Sequence, residues 1–174
     1  MFGDFIVNSG KFNFTAQDYI NKIFDLKEGG TVRWAGNPTE ANININAIYQ
    51  QRTSLAPLYN AAGREENPER VLAQADMILK GQLSQPDITF DINFPQNPGV
   101  KDELQGYFSD ANNVNQQALS LIVRRSFTPE HKVILGKKST IHYYQRAPKL
   151  LLIKSIISSH NHSISISLIS ILNH

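Results

Sequence analysis

Two aspartates, Asp87 and Asp91, lie four residues apart in the strand-like run from Asp87 to Phe94, with Thr89 between them. Side chains two and four residues apart on a strand share a face, so the pair could act as general acid and base. A solvated polar face of a sheet explains the same pattern, and we favour that interpretation. The sequence holds no G-x-S-x-G, H-E-x-x-H, P-loop or G-x-G-x-x-G motif, so we predict no catalytic residue and no enzyme activity.

Metal chemistry has two weak candidates. His160 and His162 would share a face of a strand, but two histidines without a nearby carboxylate or thiolate do not complete a site. The acidic run 65–70 could contact calcium, although a charged surface loop is the simpler interpretation. Cysteine is absent, which excludes disulfides, thiolate metal sites and cysteine nucleophiles. We therefore predict no metal and no cofactor.

Trp34 and the pair Arg124 and Arg125 are candidates for binding rather than catalysis. Trp34 could be a ligand platform, or part of the sheet core or of a cross-strand aromatic pair. The two arginines could contact lipid phosphates or an acidic partner. The alternative for them is the solvated C-terminal end of a helix.

Charge is unevenly distributed along the 174 residues. All 15 acidic residues lie between Asp4 and Glu130, where 11 Lys/Arg leave a net charge of −4. Residues 131–174 contain six Lys/Arg, all five histidines and no acid. The overall charge of +2 describes neither part, and a basic nucleic-acid binder is disfavoured for the whole chain. We therefore divide the chain into a β-domain, 1–130, and an acid-free tail, 131–174.

Strands and turns dominate the predicted β-domain. The clearest period-two alternation runs through 42–47 and 87–94, with a weaker one over 70–83. Shorter strands are predicted at 5–7, 11–14, 19–26 and 31–34, the last two separated by a hairpin-type turn at 27–30. The connection 51–69 is long and polar, and we expect it at the surface. One helix is predicted at about 110–126, with Asp110 as its N-cap.

The alternating strands give the sheet a continuous apolar face. It could be closed inside a β-sandwich by the helix and a second sheet, as in a structural or adhesive domain of a secreted protein. It could instead line the open groove of a curved antiparallel sheet that takes acyl chains or a partner's strand. Periodicity does not separate these alternatives, because it indicates only that water is excluded. The residues that would line the groove are Ile43, Ile45, Ile88, Phe90, Ile92 and Phe94.

Five segments together resemble the C-terminal domain of the TamB family, the translocation and assembly module also known as DUF490. The most specific is 29–38, which reads Gly-Gly-Thr-Val-Arg-Trp-Ala-Gly-Asn-Pro and follows Phe24-Asp25-Leu26. The others, in chain order, are 10–14, 41–49, the strand pair 79–83 and 86–92, and 115–121 in the predicted helix. The resemblance covers about residues 3–130. The abundant asparagine and the ending Arg124-Arg125-Ser126-Phe127 resemble versions from Bacteroidota-like bacteria.

The resemblance implies a taco-shaped β-structure with an apolar inner groove. Members of the family are anchored in the inner membrane, span the periplasm and meet an Omp85-type, TamA-like barrel in the outer membrane. They are implicated in outer-membrane protein assembly, protein secretion and phospholipid transport, and are not known as enzymes. The expected groove occupants are phospholipid acyl chains or nascent outer-membrane β-strands. The sequence shows neither the N-terminal β-rich region nor the anchor helix of the family. It also shows no signal peptide and no membrane-spanning run. We therefore expect a fragment of a longer protein.

The tail ends in a Ser/Ile alternation over 159–174 that is typical of an aggregation-prone strand. With one choice of A/T-rich codons for this stretch, reading one nucleotide earlier gives an amphipathic helix followed by an alternating terminal strand, although codon degeneracy allows other outcomes. We therefore hypothesise that residues 137–174 are out of frame and predict that this stretch is poorly packed. The nucleotide sequence of the gene tests this, because an adjacent frame without a family-like C-terminus contradicts it.

Overall fold

The computed structural model describes residues 2–16, 20–36 and 40–129, of which the side chains of 14–16 and 20 are left undescribed. The described strands form one antiparallel sheet curled into a half-barrel. This confirms the predicted curved, mainly β fold, and the described residues form no second sheet that would complete a sandwich. The elements are β1 (Phe2–Val7), β2 (Lys11–Ala16), β3 (Ile20–Leu26), β4 (Gly30–Ala35), β5 (Asn42–Ser54), α1 (Ala56–Ala61), β6 (Arg70–Gln82), β7 (Gln85–Asn93), α2 (Gly99–Glu103), α3 (Gln105–Phe108) and α4 (Ala111–Arg124).

The sheet is a sequential up-and-down meander. Both β3 and β4 pair antiparallel with β5, so they run in the same direction, one after the other. β1 pairs antiparallel with β4, and β2 pairs antiparallel with β3. β1 and β2 therefore also run in the same direction, one after the other. The hairpin predicted at 27–30 is therefore wrong, because the chain does not reverse there.

A bulge replaces the predicted hairpin. Leu26 faces Ala47 and Thr31 faces Asn44, so the four residues 27–30 lie opposite only two residues of β5. Two extra residues on one strand bend it locally without ending the pairing. Gly29 permits this because its φ is +88°, a value that side-chain-bearing residues rarely adopt.

The second half of the sheet is regular. β5 and β6 pair over thirteen residues each, from Asn42 facing Gln82 to Ser54 facing Arg70. β6 and β7 form a hairpin whose two-residue turn is Leu83-Ser84, because Gln82 faces Gln85. Most apolar residues of these strands point to the concave face, as the alternation predicted, whereas Ile48, Leu72 and Ile78 lie on the opposite face. The buried apolar residues of the three strands are Ile43, Ile45, Ala47, Val71, Ala73, Ala75, Met77, Leu79 and Ile92.

Helix α4 closes part of the concave face by packing against β7 and β6. Its start is fixed by Asp110, whose carboxylate accepts a hydrogen bond from the Asn112 N–H at 2.8 Å, as expected of an N-cap. It ends at Arg125, whose φ of 61° is left-handed. The helix predicted at 110–126 is thereby confirmed.

A buried amide ties the segment after α4 back to the helix. Gln117 is fully buried. Its Nε2 donates to the Thr128 carbonyl at 2.8 Å and to Tyr107 Oη at 3.0 Å, while its Oε1 accepts from the Thr128 N–H at 3.0 Å. Thr128 is itself 2% exposed, so Gln117 supplies partners that solvent does not.

The prediction of a wholly surface-exposed connection at 51–69 is wrong in its first half. β5 continues to Ser54, and Leu55, Leu58 and Tyr59 are buried. Residues 63–66 are exposed as expected. The predicted packing of the tail concerns residues beyond 129, which lie outside the described part of the chain.

Tyr59 joins α1 to α2 through a hydrogen bond from its hydroxyl to Glu103 Oε2 at 2.6 Å. Burial and then this bond raise the pKa of Tyr59 above its usual value. A raised pKa stabilises the fold below the unfolded pKa of about 10, and that contribution is lost as the pH rises through the folded pKa.

We expect Tyr59→Phe to cost about 1 kcal/mol of unfolding free energy at neutral pH. As the pH rises above about 9, the free energy of unfolding measured in urea should fall less for Tyr59→Phe than for the wild type. An equal fall in both proteins would contradict the raised pKa of Tyr59 as its source.

Candidate functional site

The six residues predicted to line a groove all lie on the concave apolar face. Ile43, Ile45, Ile92 and Phe94 belong to its buried core, whereas Ile88 and Phe90 are half-buried at its margin. Ile88 faces Leu79 and Phe90 faces Met77 across the β6–β7 ladder, which places both side chains next to core residues. The structure brings the six together, but only Ile88 and Phe90 are partly accessible. Ligand binding by any of them remains a prediction.

One end of this face is covered. Phe94 directly follows β7, and its ring centroid lies 6.1 Å from that of Phe127, which follows α4. Ile92, two residues earlier, is only 1% exposed. A side chain in this covered half contacts protein on all sides, so a ligand would have to displace packed residues to reach it.

The other end carries five half-buried apolar side chains, which we name the apolar rim. They come from β1, β4, the β6–β7 turn and β7. The turn meets the start of β5, where the Leu83 N–H donates to the Ala41 carbonyl at 2.7 Å. The residues of the rim are Phe5, Trp34, Leu83, Ile88 and Phe90.

Sequence reasoning missed part of this rim. Trp34 was a candidate, and Ile88 and Phe90 were predicted groove residues. Phe5 and Leu83 were not selected as groove residues, although Phe5 shares a strand face with buried Val7. Extending the period-two argument to β1 would have found Phe5.

Over a short window, the outer edge of β7 has backbone groups that no described strand pairs with. The Ile92 N–H is bonded to Asp91 Oδ1 at 2.8 Å and so does not pair with β6. Because the direction of the backbone groups alternates in an antiparallel strand, those of Ile88 and Phe90 also point away from β6. Among the described strands none pairs with this side of β7. Pro86 bounds the window because it has no N–H.

The carboxylates on the polar face hold the fold together. Asp91 faces Asp76, and Asp87 faces Lys80, on the polar face of the β6–β7 ladder. Lys101 Nζ contacts the two Asp91 oxygens at 2.8 and 2.9 Å. Asn93 Nδ2 bridges Asp76 at 3.0 Å and Asp91 at 3.2 Å. These bonds offset the repulsion of two facing carboxylates.

Other candidates from the sequence are dispersed. Glu65 and Glu66 are exposed, and Arg124 and Arg125 are exposed at the end of α4. Within the described ranges there is no group of three His, Cys, Asp or Glu residues placed to hold a metal ion. His160 and His162 lie outside those ranges. No described helix is both long and apolar enough to cross a membrane.

Comparison with known proteins agrees with the fold. The family model described as the TamB C-terminal domain matches residues 1–142, which extends past the boundary expected at 130 into the acid-free tail. No curated protein and no solved structure matched the chain. The family match covers most of the 174 residues and coincides with the curled antiparallel sheet and its C-terminal helix. The chain therefore belongs to the TamB C-terminal domain family.

Proposed function

We propose that this chain is part of a TamB-like cell-envelope biogenesis protein and shields phospholipid acyl chains on its concave apolar face. The whole protein would bridge the inner and outer membranes, meet an Omp85-type, TamA-like barrel, and serve phospholipid transport and outer-membrane protein assembly or secretion. The proposed location is the periplasmic face of the envelope. Membership of a family of assembly modules supports this class of function over an enzyme.

The observation that carries the proposal is the apolar rim. Its five side chains are continuous with the buried core, yet each keeps part of its surface accessible. Burying one methylene group contributes about 0.8 kcal/mol. A rim of two phenylalanine rings, one tryptophan side chain and two branched aliphatic chains can thus hold an acyl chain without specific hydrogen bonds, which suits a carrier of varied lipids.

A photocrosslinking amino acid placed singly at Ile88, Phe90 or Thr89 tests the proposal. Thr89 is the matched control, because it lies between the other two but on the exposed polar face. We expect phospholipid adducts, identified by mass spectrometry after expression in a bacterial periplasm, at positions 88 and 90 and not at 89. Equal labelling at all three positions, or none at 88 and 90, would contradict an acyl-binding rim.

A second candidate function follows from the edge of β7 that none of the described strands covers. A client strand could add to the backbone groups of Ile88 and Phe90 by β-augmentation. Its apolar side chains would then extend the concave face, and the client would be a nascent outer-membrane β-strand. The same crosslinking experiment separates the two functions, since protein adducts at 88 and 90 in place of lipid would favour the strand.

A further inference from the structure

Helix α2 is fastened to the polar face of β7 through an ion pair. Lys101 Nζ lies 2.9 Å from Asp91 Oδ1 and 2.8 Å from Asp91 Oδ2, and it also donates to Asn93 Oδ1 at 2.8 Å. The chain turns back toward β7 just before α2, where the Asn97 N–H donates to the Phe94 carbonyl at 3.0 Å. The side chains of Lys101 and Asp91 are 37% and 41% exposed, so water screens their attraction only in part.

The same carboxylate occupies a backbone donor at the outer edge of β7. Asp91 Oδ1 accepts the Ile92 N–H at 2.8 Å, and this N–H points away from β6, like those of Ile88 and Phe90. Because Lys101 Nζ bonds to the same oxygen, the ammonium group lies at that edge too. A strand arriving at Ile92 would therefore meet a donor that is already used, with a charged side chain beside it. Charged side chains commonly protect sheet edges in this way, and we name Asp91 and Lys101 the edge stop.

Amide side chains hold the edge stop from its other side. Asn93 Nδ2 donates to Asp91 Oδ2 at 3.2 Å and to Asp76 Oδ2 at 3.0 Å. Gln74 Nε2 donates to Asp76 Oδ1 at 2.7 Å, and Asp76 is only 6% exposed. The carboxylate that takes the Ile92 N–H thus belongs to a network anchored in two paired strands, β6 and β7.

We propose that the edge stop confines a client strand to the window of β7 between Pro86 and Asp91. The client is an extended segment whose alternate apolar residues lie opposite Ile88 and Phe90, where they join the apolar rim. Its residue opposite Asp87 is basic, because Asp87 is exposed on the polar face of this window and opposite charges that face each other across a ladder attract. The inference rests on the second proposed function and deepens it, since it gives the client strand a register and a length.

NMR titration of the isotope-labelled full chain with two blocked peptides tests the edge stop. In an antiparallel ladder the short peptide, Val-Thr-Val-Lys, faces β7 from Phe90 to Asp87, and the long one, Val-Thr-Val-Thr-Val-Lys, also reaches Ile92. We expect the wild type to bind both peptides equally. Asp91→Ala should bind the long peptide about tenfold more tightly than the short one, because a pair at Ile92 adds two backbone hydrogen bonds. Asp91→Asn should behave like the wild type, because its amide oxygen can still accept the Ile92 N–H.

Asp87→Ala is the matched control, because it removes the same charge from the same face of β7. It should weaken both lysine-ending peptides alike and leave them equal to each other. Urea unfolding checks that each variant is folded.

The edge stop would be overturned if the wild type already preferred the long peptide, or if a folded Asp91→Ala showed no preference. An equal preference in Asp87→Ala would overturn it as well. If neither peptide binds to any of the proteins, the client-strand function fails, and hydrogen exchange of the Ile92 amide decides on the stop by itself. Slower exchange in the wild type than in Asp91→Ala supports the stop, and equal rates overturn it.

Discussion

Phe90→Arg is expected to abolish phospholipid capture while the domain remains folded, whereas Ile92→Arg is expected to unfold it. The two residues are neighbours on the same face of β7, but Phe90 lies in the apolar rim and Ile92 is 1% exposed. At the rim an arginine can extend its charged end into water while its stem covers apolar surface. At position 92 the charge would be buried without a partner, which costs several kcal/mol against a typical total stability of about 5–15 kcal/mol.

Circular dichroism, urea unfolding and lipid mass spectrometry measure both outcomes. Thr89→Arg controls for the added charge, because Thr89 is exposed on the polar face of the same strand, and it should change neither fold nor lipid capture. If Phe90→Arg unfolded the domain like Ile92→Arg, the rim would be a closed core. If Phe90→Arg still captured lipid, the rim would not be the binding surface.

Gln117→Leu is expected to cost about 2–5 kcal/mol of unfolding free energy. Leucine fits the helix and fills a similar volume, so the loss comes from the hydrogen bonds. The substitution leaves the buried N–H and carbonyl of Thr128 without partners, and each unsatisfied buried group costs about 1–3 kcal/mol. Phe127, whose ring packs on Phe94, should loosen with Thr128, and the covered half of the concave face would open.

Urea denaturation followed by fluorescence of the single tryptophan, Trp34, gives this free energy. Gln116→Leu is the matched control, because Gln116 precedes Gln117 on α4 and is only half-buried. It should stay within about 0.5 kcal/mol of the wild type. A loss below about 1 kcal/mol for Gln117→Leu would mean that solvent reaches Thr128.

The strands could be predicted from the sequence because alternation is a local property. In β7 the order of Ile88, Phe90 and Ile92 among polar residues fixes which side chains share a face. The break at Lys27–Gly30 could not be predicted in the same way. Glycines indicate a turn or a bulge equally well, and the choice depends on whether both flanking strands pair with β5, a contact distant in sequence.

The candidate site was predictable only in part, for a related reason. Alternation assigned Phe90 and Ile92 to the same face, but it carries no information on where α4 and Phe127 cover that face. The helices α1, α2 and α3 are four to six residues long, too short to show helical periodicity. Lys22 lies in a segment whose pattern also fitted a helix, so the position of its Nζ, 5.9 Å from the centroid of the Tyr49 ring, emerges only from the pairing of β3 with β5.

The bulge in the β3–β4 strand has a mechanical consequence. Its Gly29 N–H donates to the Val7 carbonyl at 2.9 Å, and on the other side of the break the Leu26 N–H donates to the Gly10 carbonyl at 2.9 Å. The interruptions of both outer strands thus lie side by side and form a crease across this half of the sheet, while β5, β6 and β7 pair without a break. β1 and β4, which carry Phe5 and Trp34, are held to β5 by a ladder of only three residue pairs, Thr31–Asn44, Val32–Ile43 and Arg33–Asn42. The thirteen-pair ladder of β5 and β6 supports the opposite side, which carries Ile88 and Phe90, so the two sides of the groove are held by ladders of very different length.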